Sequence, residues 1–223
     1  MALILNIETA TTNCSVSLSK DGETLVLKED NSEGYSHAET LHVFIKQVIE
    51  LANVSASEID AVAVSKGPGS YTGLRIGVSS SKGLCYALNK PLISVSTLES
   101  LSYQVKVEEG IIIPMLDARR MEVYSAVFDH NYELIREIKA EVLTEKSFAN
   151  LLEESKVYFI GNGVGKTQQL IQHPNAFFIE DKLPSANEMG LLSELKYKKS
   201  DTEDVAYFEP YYLKDFVAIK KKV

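Results

Sequence analysis

Apolar residues in this chain fall into short runs separated by polar turns, and the runs follow two different spacings. Residues 3–7 are apolar and β-prone, residues 14–19 alternate Cys-Ser-Val-Ser-Leu-Ser, and Asp21-Gly22 is a two-residue hairpin signal before a third strand at 23–28. At 36–39, Ser-His-Ala-Glu has the form of a capping box. Leu41, Phe44, Ile45, Val48, Ile49 and Ala52 continue from it at helical spacing and predict a helix over 37–51. A strand at 61–65, a helix over 72–88, a strand at 92–95 and a helix from 97 to about 105 complete an order βββαβαβα.

The second half repeats that order. Strands are expected at 111–116, 123–129 and 133–140, with His130-Asn131 as a turn, followed by a helix over 145–154 and a strand at 157–160. Gly161-Asn162-Gly163 then turns into a helix, 176–179 is a strand, and Ser185 is placed to cap a helix reaching 196. Glu8 precedes Asp117 by the same interval as Asp21 precedes His130, which internal duplication explains. The first lobe is expected over 1–107, completed by 205–223 packing back on it. The second lobe is expected over 110–200. Two facing βββαβαβα halves make an α/β chain of the two-lobed actin and chaperone-ATPase architecture.

The chain centres on Lys66-Gly67-Pro68-Gly69-Ser70-Tyr71-Thr72-Gly73-Leu74-Arg75-Ile76-Gly77, a glycine-rich turn between a buried strand and a helix. Gly67 and Gly69 permit backbone angles closed to other residues, Pro68 fixes a dihedral, and N–H groups at the helix start are placed to face an anion. No Lys-Ser or Lys-Thr pair follows, so this is not the Walker loop. Gly73, Gly77 and Ser81 recur every fourth residue and leave one helix side bare. Each interior glycine costs about 1 kcal/mol against alanine, which close approach by another backbone would offset. A docking surface is the expectation, formed by Gly73, Arg75, Ile76, Gly77 and Ser81 with Leu41, Ile45 and Val48 of the preceding helix. Facing the cleft, the candidates for phosphate or nucleotide are Glu8, Thr9, Thr11, Gly67, Gly69, Ser70, Tyr71, Thr72, Asp117, Arg119 and Arg120. The structural alternative is that the threonines favour turns and the arginines pair with surface carboxylates.

Composition narrows the classes. With 223 residues, 45% hydrophobic and 24% charged, the chain is an ordinary globular one. A net charge of −8 argues against gripping a nucleic-acid backbone directly. Cys14 and Cys85 read as small buried hydrophobes without a disulfide. No signal segment or membrane span is apparent, so the cytoplasm is expected. His37 and His42 are five apart and sit on different helix faces, unlike helical zinc ligands, while His130 and His173 fall in turns; surface or cap roles are expected for all four.

Asn6-Ile7-Glu8-Thr9-Ala10, the run 67–77 with Ser81-Lys82-Gly83-Leu84, Asp117-Ala118-Arg119-Arg120 with Glu122-Val123-Tyr124, and Pro210 with Tyr212-Leu213-Lys214 together resemble the bacterial TsaB (YeaZ) family over nearly the whole chain. The resemblance implies a role in threonylcarbamoyladenosine synthesis on tRNA as a non-catalytic partner of the catalytic paralogue TsaD. Glu8 and Lys214 depart from the aspartate and arginine usual there. Where the paralogue resembles Val-Asn-His-Leu-Glu-Gly-His, this chain reads Val95-Ser96-Thr97-Leu98-Glu99-Ser100-Leu101, without the two metal-holding histidines. No catalytic or metal residue is therefore expected. The resemblance also implies a TsaE-type ATPase in the assembly. Contact with tRNA is expected only through the partner, a homodimer when the chain is alone, and at most weak ATP or ADP binding with magnesium, mainly in complex. The rival expectations are a small-molecule kinase or ATPase of the same fold using Glu8 and Asp117 for magnesium, and a glycoprotease-like metallopeptidase.

Overall fold

The computed structural model describes residues 2–31 and 37–214. Ser36 of the expected capping box and the 215–223 tail lie outside them. Strands β1 (Leu3–Glu8), β2 (Cys14–Lys20) and β3 (Glu23–Asp30) are followed by α1 (His37–Leu51), β4 (Ala61–Ser65), α2 (Tyr71–Leu88), β5 (Leu92–Val95) and α3 (Thr97–Ser102). The second half carries β6 (Ile111–Asp117), β7 (Glu122–Asp129), β8 (Leu134–Val142), α4 (Ala149–Glu154), β9 (Val157–Ile160), α5 (Val164–Leu170), β10 (Ala176–Ile179) and α6 (Met189–Lys198). The two sheets run β3-β2-β1-β4-β5 and β8-β7-β6-β9-β10, the same topology twice. In each, the first strand pairs antiparallel with the second and parallel with the fourth. The duplication is therefore structural as well as positional. Asp21 and Gly22 both have positive φ, which a two-residue hairpin requires.

The short apolar runs become the central strands. β4 and β5 are buried along their whole length, because helices cover both faces of a parallel sheet. Leu41, Ile45 and Val48 of α1 lie against Leu5, Val16, Leu18 and Val64 on one face of the first sheet. On its other face Ile4, Ala63, Ile93 and Val95 meet Ala186, Met189 and Leu192. That second cover comes from the other half of the chain: α6 packs on the first sheet. In exchange, Leu98 and Leu101 of α3 pack on Ile112, Leu116, Ala126 and Ile160 of the second sheet. The halves interlock at the back through these helices, so the boundary near 107–110 divides the sequence but not the packing. Val205 and Phe208 return to the first core.

Three helix ends differ from the spacing by three residues or more. α3 stops at Ser102 rather than near 105. α4 begins at Ala149 rather than 145, because Ser147 and Thr144 hydroxyls accept the N–H groups of Thr144 and Lys146 and hold 144–147 as a turn. Ser185 does not cap α6, which starts four residues later; its hydroxyl donates to Glu29 Oε2 at 2.8 Å and accepts from Asn187 N.

Candidate functional site

A cleft of 630 Å³ opens between the two lobes. Its floor and walls come from the β1–β2 turn at Thr11 and Thr12, the glycine turn from Pro68 to Thr72, the β6–β7 turn at Asp117 and Arg119, and Asn162 of the second glycine turn. Tyr124 and residues 211–214 complete it. Thr11, Gly69, Ser70, Tyr71, Thr72, Asp117 and Arg119 thus come together, as the sequence expected of cleft-facing groups. Of the other lining residues, Asn162 belongs to the second glycine turn and Tyr212, Leu213 and Lys214 to the C-terminal motif, neither of which the sequence places at the cleft.

Glu8, Thr9, Gly67 and Arg120 do not line it. Thr9 is fully buried, and its hydroxyl donates to Gly73 O at 2.9 Å. Gly67 exchanges hydrogen bonds with Thr97, donating to its Oγ1 at 3.1 Å and accepting its N–H at 3.2 Å. Arg120 is exposed with its carbonyl accepting from Lys166 Nζ at 2.7 Å.

The two strand-ending carboxylates occupy equivalent positions, since each accepts the N–H of the residue two further on: Ala10 N to Glu8 Oε1 at 2.5 Å and Arg119 N to Asp117 Oδ1 at 2.6 Å. Their surroundings then diverge. Glu8 is entirely buried beneath the glycine turn, with Ser65 Oγ donating to Oε1 at 2.8 Å and Oε2 without a partner. Asp117 is exposed and paired with Lys166 at 2.9 Å. Lys166 also donates to the Arg120 and Glu122 carbonyls, so its charge stiffens the turn. Of the two, only Asp117 lines the cleft, so a magnesium ion there would have one of these carboxylates at most. Among the described residues no three His, Cys, Asp or Glu side chains converge as a metal requires. At the stretch compared with the paralogue's histidines, Thr97 and Leu101 are both fully buried, in the roles already given.

Burial pushes the Glu8 carboxyl up from 4.5 to about 7, against the lowering effect of the hydrogen bonds from Ala10, Ser65 and Thr9. Between those values the native chain holds a proton that the unfolded chain releases. The resulting stabilisation is fully present below about pH 4.5 and is lost as pH rises through 7, an effect of about 3 kcal/mol. Glu8→Gln cannot ionise, so its unfolding midpoint should gain on that of the wild type from pH 5 to about pH 7 and level off above it. Parallel midpoints across that range would show that Glu8 stays charged in the native chain.

The expected docking residues separate into two groups. Leu41, Ile45 and Val48 are core residues, and Gly73, Gly77 and Ser81 are buried as well. A Cβ at Gly73 would overlap the Thr9 carbonyl, and one at Gly77 would overlap the Thr9 hydroxyl. Ser81 Oγ donates to Gly77 O at 2.8 Å. The bare stripe is thus filled by the β1–β2 turn of the same chain and is not a docking surface. Only Arg75 and half-buried Ile76 of that set reach solvent. The outward face of α2 carries Thr72, Arg75, Ser79, Gly83 and Tyr86, and His42 Nε2 of α1 meets Ser80 Oγ at 3.3 Å between the helices. Gly83 is the informative residue there, because a Cβ on it would meet nothing within 4 Å. His37, expected at the surface or as a cap, is instead buried with Nε2 at 2.7 Å from Thr11 O. Cys14 and Cys85 are free and buried, and among the described residues no helix is long and apolar enough to cross a membrane.

Comparison with known proteins agrees with this geometry. A family profile described as "TsaD: tRNA N6-adenosine threonylcarbamoyltransferase" matches residues 33–222. The chain is 30% identical to the tRNA threonylcarbamoyladenosine biosynthesis protein TsaB of Escherichia coli, covering 98% of this chain and 97% of that one. It is 26% identical to TsaB of Haemophilus influenzae, over 98% and 96%. Among solved structures, a Pseudomonas aeruginosa protein described as similar to peptidase YeaZ superposes with a TM-score of 0.82 at 26% identity, covering 96% of this chain and all of that one. The chain belongs to the TsaD family as that profile defines it, and within it to the TsaB, or YeaZ, proteins.

Proposed function

We propose that this chain serves tRNA threonylcarbamoyladenosine biosynthesis as a non-catalytic subunit that docks a TsaD-type catalytic paralogue. The observation that supports this is the fate of the two strand-ending carboxylates: Glu8 is fully buried beside Ser65 and Asp117 is paired with Lys166, an arrangement that fits a subunit without its own metal-dependent chemistry. The exposed face of α1 and α2 supplies the docking half of the proposal. Gly83 costs its helix about 1 kcal/mol with no internal packing to offset it, and an external backbone approaching closely would account for it. Tyr86, one turn on from Gly83 and 87% exposed, offers an aromatic anchor on the same helix face.

The same face would pair two copies when the paralogue is absent. A TsaE-type ATPase would join the assembly, in the cytoplasm. With a net charge of −8 the chain would leave tRNA contact to its partners. ATP or ADP would bind weakly at most, and mainly in the complex.

The test is reconstitution with the paralogue, the ATPase, tRNA, ATP and an activated threonylcarbamoyl donor, since a transferase needs its group supplied on a leaving group. Omitting this chain should lower threonylcarbamoyl transfer at least tenfold, and this chain with tRNA and substrates alone should give none. Transfer by the chain alone, or undiminished transfer without it, would end the proposal. Calorimetry separates the kinase alternative, which requires micromolar ATP affinity and turnover by the isolated chain.

A further inference from the structure

The segment after α6 takes a path that the proposed docking role does not explain. It first bridges the β5 edge, where Glu203 N donates to Leu92 O, and then crosses α2, where Lys82 Nζ donates to the Ala206 and Phe208 carbonyls at 3.1 and 2.9 Å. Tyr211 N next donates to Lys66 O at 2.7 Å, at the base of the glycine turn. The Tyr212 ring lies 5.2 Å from that of Tyr71, with the Arg75 guanidinium 4.0 Å from the Tyr71 ring centre and Arg75 Nε donating to Tyr212 OH at 3.1 Å. Up to this point every anchor belongs to the first lobe. Lys214 then leaves it and pairs with Glu122 at the start of β7, on the opposite lip of the cleft.

We infer that residues 211–214 are a latch: the Lys214–Glu122 pair bridges the front of the cleft and sets the separation of its lips. The lobes already interlock at the back through α3 and α6, so relative movement about that seam would open the cleft at the front, where this ion pair spans it. Both ends are held for the purpose. Tyr211 and Tyr212 fix the first-lobe end as described, and Lys166 fixes the other by holding the Glu122 carbonyl and the Asp117 carboxylate together. The pair is half in water, with Lys214 44% and Glu122 21% exposed, which suits a contact that opens and recloses.

The test is the lip-to-lip distance in the full-length chain, read by pulsed electron resonance between spin labels at Thr72→Cys and Met121→Cys. Both positions are exposed, and the native cysteines are buried. The parent should give one short distance. Lys214→Glu and Glu122→Lys should each raise the long-distance population about fivefold, the range of a half-exposed ion pair, and combining them should restore the parent distribution. Single variants indistinguishable from the parent would overturn the latch, and so would a double variant that fails to restore it. Neither readout depends on the paralogue, so the result stands apart from the docking proposal.

Discussion

Gly73→Val is expected to cost this protein about 3 kcal/mol or more, lowering its denaturation midpoint before any partner is added. The reason lies within the chain. The β1–β2 turn presses Thr9 onto α2 so closely that its carbonyl occupies the space of a Gly73 side chain, while the Thr9 hydroxyl donates back to Gly73 O. A valine must push the helix off the turn, because the obstructing atom is backbone and cannot swing aside as a flexible side chain would. Overpacking of this kind usually costs about 1–3 kcal/mol, with more when the neighbour cannot yield. Here the loss of the hydrogen bond to Thr9 adds to it. Set against a typical domain stability of about 5–15 kcal/mol, that is a large share. Gly77→Val should be somewhat milder, since it meets the Thr9 side chain rather than its carbonyl. Gly83→Ala supplies the opposite sign in the same helix: it meets nothing, so it should stabilise by about 1 kcal/mol through helix propensity alone. Urea titration of the three variants measures the ordering directly. A Gly73→Val protein as stable as the parent would mean that the turn does not sit on α2.

That contrast marks how far the sequence could be followed. The period of Gly73, Gly77 and Ser81 announced a close approach, and a close approach is there. Spacing carries no information about whether the approaching backbone belongs to another molecule or to Thr9 of the same one, 64 residues earlier. The same limit applies to β2. Its Cys-Ser-Val-Ser-Leu-Ser alternation suggests one face in the core and one in water, yet Ser15, Ser17 and Ser19 are all buried. Ser17 Oγ donates to Ala186 O at 2.7 Å, Ser15 Oγ accepts from Ala186 N at 3.0 Å, and Asn6, between Ser19 and Ser193, completes a polar seam under α6. Strand positions were legible because local pattern determines them. The helix that covers a face was not, because it arrives from the other half of the chain. At the cleft, residue type and loop position pointed to Thr11, Ser70, Asp117 and Arg119, all of which line it. The burial of Glu8 escaped, since a carboxylate ending a strand reads the same whether it faces solvent or lies under a turn.

Gly83→Arg should abolish copurification with the catalytic paralogue while leaving this chain at least as stable as the parent. Arginine is a good helix former, and nothing in the fold opposes a side chain at this position, so the isolated protein gains helix propensity. At a closely packed helix seam, the same side chain must displace the approaching backbone or bury a cation without a counter-charge. Either route should weaken binding by at least about 3 kcal/mol, roughly a hundredfold in Kd. Threonylcarbamoyl transfer in the reconstituted system should fall with it and return as the variant is added in large excess, which a catalytic defect would not do. Tyr86→Ala should show a smaller loss of about 2 kcal/mol if the exposed ring is an anchor, and Gly83→Ala a loss between none and that of arginine, according to how near the partner comes. The three values together map the seam: a graded series places the paralogue's backbone over Gly83. Undiminished binding by Gly83→Arg would move the docking site off α2 altogether, and the glycine would then be left as an unexplained weakness in its own helix.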